Sequence, residues 1–182
     1  SRALAGSYDN TVRLWDLGPG DTIRNIKGHT CYVVGVALSA DGTRALSGSV
    51  DKTVRLWDLG TGDTIHTLKS HTNNVWSVAF SADGTRALSG SADNTVRLWD
   101  LGMGDSMRTL KGHTCYVGCV ALSADGPRAL TGSVDKTLRL WDPVTYTTIH
   151  THKRLLYHLC GRAFSPHNTR PLAHNTTTTL TP

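Results

Sequence analysis

The sequence predicts an all-β protein assembled from one small unit used several times over, and three observations carry that reading. The 14 acidic groups of the 182-residue chain are all Asp, with neither Glu nor Gln present, and 18 Gly accompany them. Glu and Gln favour helices, whereas Asp and Gly favour caps and turns. Trp15, Trp57, Trp99 and Trp141 recur at a spacing of 42, each followed by Asp (Asp16, Asp58, Asp100, Asp142). Within each period, short β-prone runs alternate with turn signals about every ten residues, the pattern of an antiparallel meander.

The second period shows the elements in order. Residues 33–38 (VVGVAL) are a β-branched run and predict a strand. Ser39-Ala40-Asp41-Gly42 is turn chemistry, with Gly free to take positive φ. Residues 44–47 predict a second strand, residues 48–52 a tight turn, and residues 53–57 (TVRLW) a third strand. Gly60-Thr61-Gly62-Asp63 predicts a third turn, and residues 64–69 (TIHTLK) the fourth strand. Alternation within the strands is weak, as expected where both faces of a sheet are covered. Such a unit cannot bury its faces alone and must stack on its neighbours. Residues 31–58 and 115–142 agree at 23 of 28 positions.

Composition and charge exclude several classes. With 38% hydrophobic and 18% charged residues the chain is not disordered in type. The formal charge of +5 is uneven: residues 1–142 hold 15 Lys/Arg against all 14 Asp, whereas 143–182 hold Lys153, Arg154, Arg162 and Arg170 and no acid. Four scattered cations are not the dense patch of a nucleic-acid footprint, so no nucleic-acid partner is expected. No apolar run approaches the length of a bilayer span, so none with a membrane is expected either. Cys31, Cys115, Cys119 and Cys160 show no metal-ligand spacing, which predicts free thiols in a reducing compartment, no metal and no cofactor. A cytoplasmic or nuclear, non-secreted protein follows, with the sequon Asn175-Thr176-Thr177 unused. The chain starts at Ser1 in mid-pattern, which predicts a fragment of a longer array.

The run GHT…SADGTRALSGSVDKTVRLWD over 28–58 resembles a WD repeat, and the likeness covers residues 1–142. It implies a β-propeller of four-stranded antiparallel blades, open and incomplete at this length. The implied division is a partial first blade at 1–27 with three strands. Three complete blades follow within 28–153, at about 31–69, 73–111 and 115–153. Residues 154–182 then form a degenerate fifth repeat or terminal cap. That last part keeps the register only in places: Ala163-Phe164-Ser165 continues Ala79-Phe80-Ser81 and Arg170 continues Arg128, but Leu155 stands where His113 stood and Thr177 where Asp135 stood.

Asp, His and Ser in one repeat invite a hydrolase reading, which needs one nucleophile, one base, one orienter and an oxyanion hole. Here the set recurs three times at identical spacing, as a structural device does, and there is no GxSxG elbow. Hydrolase activity is the least favoured reading and no catalytic residue is assigned. The resemblance implies structural networks His29–Asp51–Trp57, His71–Asp93–Trp99 and His113–Asp135–Trp141. It also implies a Ser or Thr three before the Asp. Gly48, Gly90 and Gly132 stand there, so the network is expected to be shortened, with Ser47 or Ser49 as alternative substitutes.

The family likeness implies partner binding across the top rim. The rim positions three and five after the His, and one before the turn Asp, place Tyr8, Tyr32, Asn74, Trp76 and Tyr116 as candidate contacts. Trp76 is the only Trp outside the repeated position, and aromatic side chains are favoured anchors. For Trp76 the competing reading is packing between blades. Arg13, Arg55, Arg97 and Arg139 recur on the third strand and are expected to be solvated or Asp-paired rather than phosphate-binding. The resulting expectation is a non-catalytic scaffold that binds a protein or peptide on its top rim and that can self-associate through open blade edges. The alternative is a ligand-sensing module of a larger signalling protein fused to a nucleotide-binding switch domain.

Overall fold

The computed structural model describes residues 2–18, 20–124, 128–142, 145, 147–153, 164–165 and 168–171. The turn at Asp125-Gly126, Cys160, the sequon and most of 154–182 lie outside the described residues. All regular elements among the described residues are strands.

Strands β1 (Arg2–Gly6), β2 (Thr11–Asp16) and β3 (Thr22–Lys27) form a three-stranded antiparallel sheet. Three four-stranded meanders follow. The first holds β4 (Val33–Leu38), β5 (Arg44–Ser49), β6 (Thr53–Asp58) and β7 (Thr64–Lys69). The next holds β8 (Val75–Phe80), β9 (Arg86–Ser91), β10 (Val96–Asp100) and β11 (Asp105–Leu110). The last holds β12 (Val117–Leu122), β13 (Ala129–Ser133), β14 (Thr137–Trp141) and β15 (Thr148–Lys153). A short pair, β16 (Phe164–Ser165) with β17 (Asn168–Pro171), closes the described chain. The second strand of each complete sheet runs to the Ser of the Ser-Gly-Ser or Thr-Gly-Ser segment, two residues past the expected end, because its last residues still pair with the inner strand: Gly35↔Gly48 and Val33↔Ser49.

The turns form for the reasons their residues suggest. Gly42 takes φ 69° and donates to the Ser39 carbonyl, while the Asp41 carboxylate accepts from the Ser39 hydroxyl and the Thr43 amide. Those bonds, the Ser39 hydroxyl foremost, hold the Asp41 carboxyl down to about 2. The turn between second and third strands places Asn10, Lys52, Asn94 and Lys136 at φ between 65° and 71°, a left-handed conformation that suits Asn and strains Lys.

The core lies between sheets rather than within them. Leu46, Val54, Leu56 and Leu68 of one sheet meet Val75, Ala87, Trp99 and Leu101 of the next. The same positions recur in Val12, Leu14 and Ile26 against Val33, Ala45, Trp57 and Leu59, and in Leu88, Val96, Leu98 and Leu110 against Val117, Ala129 and Trp141. Trp57, Trp99 and Trp141 are thus each packed on the preceding sheet, and all three are 1% exposed. A buried Leu or Val contributes roughly 1.5–3 kcal/mol, so each seam is a substantial share of the fold's stability. Each seam has a close approach at a glycine, and Gly35 adds another, where a Cβ would stand 2.8 Å from the Trp76 carbonyl oxygen. A Cβ on Gly48 would stand 2.7 Å from Val75 Cγ1, and one on Gly90 2.8 Å from Val117 Cγ1. No helix among the described residues is long and apolar enough to cross a membrane.

Candidate functional site

Two constellations occupy the same end of the array, one buried and one exposed. The buried one starts at the loop leading into each inner strand. His29 sits there, and its Nδ1 lies 2.7 Å from Asp51 Oδ2 in the turn between β5 and β6. Its Nε2 lies 2.6 Å from Ser47 Oγ, and Trp57 Nε1 donates to the same hydroxyl at 2.7 Å. An indole N–H can only donate and a carboxylate only accept. With a neutral imidazole the bonds run in one direction: Trp57 to Ser47, Ser47 to His29 Nε2, and His29 Nδ1–H to Asp51.

The arrangement repeats. His71 bridges Asp93 and Ser89, each at 2.7 Å, with Trp99 donating to Ser89. His113 bridges Asp135 and Thr131, each at 2.8 Å, with Trp141 donating to Thr131. The network is therefore not shortened. Its hydroxyl comes from the residue four before the Asp, not three, because that position on the strand faces the indole while the Gly at the next position packs on the neighbouring sheet. Ser49 does different work: its hydroxyl donates to the Cys31 carbonyl and accepts from the Asp51 amide.

Burial works against the Asp51 charge, yet the hydrogen bonds from His29, Thr53 and the Thr30 amide outweigh it and hold the carboxyl well below its usual range. Asp93 is held down by the same balance, with His71 and Thr95 as donors, and Asp135 is lowered to about 2. Burial pushes His113 below the ordinary imidazole range, against the pull of Asp135.

The Ser–His–Asp connectivity is that of a hydrolytic triad, but its setting is not. Ser47 and Ser89 are 0% exposed and Thr131 is 1% exposed, and each hydroxyl already accepts an indole N–H, so no substrate carbonyl can reach it. The set ties the loop, the turn and the third strand of a sheet together. Among the described residues no group of three or more His, Cys, Asp or Glu could hold a metal ion, and Cys31, Cys115 and Cys119 form no disulfide with one another.

The exposed constellation stands on the loops these networks anchor. The carbonyls of Tyr32, Asn74 and Tyr116 accept from the amides of Val50, Ala92 and Val134 in the adjoining turns. Val34, Trp76 and Gly118 each fall at a register shift in the innermost pairing, a bulge that re-aims one side chain. The Trp76 ring lies 6.1 Å from that of Tyr116 on the next sheet, tilted by 40°. Packing between sheets therefore accounts for one side of Trp76, which is half-buried. Tyr8 and Tyr32 meet edge to face at 4.9 Å and are exposed at 78% and 46%. Asn74 is partly exposed beside them in the repeat order. The bulge was not legible beforehand, since it shows in the pairing register and not in residue type.

The recurring arginines correct an expectation. Arg13 pairs with Asp9, but Arg55 lies over the Trp57 ring at 5.6 Å and Arg139 over Trp141 at 5.8 Å. They cover the indoles as cation–π partners instead of forming a solvated row.

The WD40 family model (WD domain, G-beta repeat) matches residues 1–16, 20–58, 62–100 and 104–142. Over 42 residues the chain is 50% identical to "Ribosome assembly protein 4" of Chaetomium thermophilum, a match covering 23% of this chain and 8% of that protein. WD40 repeats typically mediate protein–protein interaction and are generally non-catalytic scaffolds. With four repeats matched in register, and with the Trp, His and Asp of each complete blade joined by one hydrogen-bonded set, the chain belongs to the WD40 family.

Proposed function

We propose that the chain is a non-catalytic scaffold that binds a protein or peptide on the rim carrying Tyr8, Tyr32, Asn74, Trp76 and Tyr116. The observation that carries this reading is the bulge at Trp76, which sets an indole at the start of β8 beside Tyr116 on the next loop, both held from below by the buried networks. Rigid aromatic anchors give up little conformational entropy on binding. The likeness to a segment of a ribosome assembly protein supports a partner within a multi-component assembly, in the nucleus or cytoplasm.

The same reading takes residues 1–27 as a partial first blade, 28–153 as three complete blades and 154–182 as an eroded fifth repeat. The last rests on register: Phe164 pairs with Pro171 as Phe80 pairs with Ala87 and Leu38 with Ala45. It also takes the free face of the first blade as a route to self-association. Leu17 is 60% exposed, whereas its equivalents Leu59 and Leu101 are 3% exposed.

The rim is tested by selecting binders from a displayed peptide library on the intact chain, then measuring them against Trp76→Ala and Tyr116→Ala. Affinity falling by about tenfold or more in either variant supports the rim. Unchanged affinity in both places the binding surface elsewhere.

A further inference from the structure

The fold gathers the chain's lysines at one end, although the sequence intermixes them with Asp. All six lysines fall at the rim end. Lys27, Lys69 and Lys153 close the outer strands β3, β7 and β15, and Lys111 directly follows β11. Lys52 and Lys136 cap the turns between second and third strands. All six are exposed, and no ion pair joins any of them to another described residue. The four Asp at this end are occupied: Asp51, Asp93 and Asp135 hold His and Thr, and Asp9 holds Thr11 and Arg13. Most other Asp, among them Asp16, Asp41, Asp58, Asp83 and Asp100, sit in turns at the opposite end, as the cross-strand partners Arg2↔Asp16 and Arg44↔Asp58 require.

We propose, resting on the protein-binding reading above, that the lysine-bearing end recognises an acidic peptide segment of its partner, its carboxylates meeting the lysines and an apolar side chain meeting Trp76 and Tyr116. Complementary charge of this kind raises the association rate and sets selectivity. A nucleic acid fits less well. The cations here are point-charge lysines, while Arg55 and Arg139, which would match phosphate bidentately, are stacked on indoles. Trp76 is half-buried and tilted onto Tyr116 instead of standing as an open stacking platform for bases.

The repeat supplies its own neutral variants. Asn10 and Asn94 occupy the position of Lys52 and Lys136 at the same left-handed φ, so Lys52→Asn and Lys136→Asn remove charge and relieve backbone strain together. Their melting temperature, expected unchanged or raised, serves as the folding control.

Three fluorescent probes are titrated into the intact chain: a peptide of Asp and Glu around a Leu-Phe pair, its Ser/Asn counterpart, and poly-uridine. The acidic peptide should bind most tightly, with an advantage that shrinks as salt screens the charges. The double Lys→Asn variant should weaken it about three- to tenfold and leave the neutral peptide unchanged. Equal binding of both peptides, lost in Trp76→Ala but not in the double variant, overturns the acidic preference and leaves the aromatic rim standing. Binding of neither peptide overturns both. Poly-uridine binding tighter than the acidic peptide, with the same lysine dependence, assigns the surface to nucleic acid instead.

Discussion

Ser47 Oγ and Trp57 Nε1 lie 2.7 Å apart in a setting where neither has access to water, so one small hydroxyl decides whether two larger rings can be buried. Ser47→Ala would leave the Trp57 N–H and the His29 Nε2 without partners, at a cost of about 1–3 kcal/mol for each group. Ser47→Thr should cost far less, because Thr131 already fills the same role beside Trp141. Urea unfolding of the two variants checks this, and equal midpoints would show that the hydroxyl is dispensable.

Acid should unfold the chain in two stages. The Asp51, Asp93 and Asp135 carboxyls are held below their unfolded value near 4. A depressed carboxyl contributes stability above its unfolded pKa and loses it as pH falls through the folded one. His113 is likewise depressed, so folding favours its neutral ring, and that contribution begins to fade once pH drops below about 6.5. Melting temperature is therefore expected to be flat above neutrality, to decline gently below it, and to fall steeply under pH 4. A rise in melting temperature between pH 7 and 5 would contradict the direction assigned to His113.

Gly90→Ala tests the seam. The added Cβ would stand 2.8 Å from Val117 Cγ1 and 3.0 Å from the Val117 carbonyl oxygen. The backbone on the far side cannot rotate away as a side chain could. Overpacking of this kind costs about 1–3 kcal/mol, and the loss should appear in hydrogen exchange as reduced protection of both β9 and β12. Protection lost in β9 alone would mean that the two blades do not share the seam as one unit.

Leu17→Asp should make the chain less prone to associate. The side chain is exposed where its equivalents are covered, and an apolar blade face without a neighbour favours association. Sedimentation velocity across a concentration series should show the wild type shifting to larger species and the variant shifting less. Concentration-independent behaviour of the wild type would remove this face as a contact.

Much of the fold was legible because its punctuation is chemical. Asp-Gly turns, the Trp-Asp pair and the 42-residue step each have a local cause, and the strands fall between them. The resemblance put the network's hydroxyl at the position Gly48 fills and left Ser47 and Ser49 open as substitutes, and the structure selects Ser47. The sequence offers Ser47, Gly48 and Ser49 as neighbours, and only the strand's pleat separates the residue facing Trp57 from the one facing Val75. Likewise Trp76 stood out by composition, but its aim depends on a bulge in the pairing with β9. Arg13 is Asp-paired as expected, but Arg55 and Arg139 were misjudged because their stacking depends on an indole two residues on, on the same face of the strand, and not on a pattern of charge.

The hydrophobic seams between blades use equivalent positions on either side each time: Leu14, Leu56 and Leu98 from one blade, and Trp57, Trp99 and Trp141 from the next. A seam of this sort does not record which blade it belongs to. Exchanging the second and fourth units would present the apolar core of every junction with surfaces it already accepts, and the exception lies at the rim end, where Cys119 would replace Gly35 against the Trp76 carbonyl. Unit order is thus nearly free as far as the apolar seams are concerned, and what tells one order from another is packing at the rim end, where Gly35 admits the Trp76 backbone and the Trp76 ring leans on Tyr116.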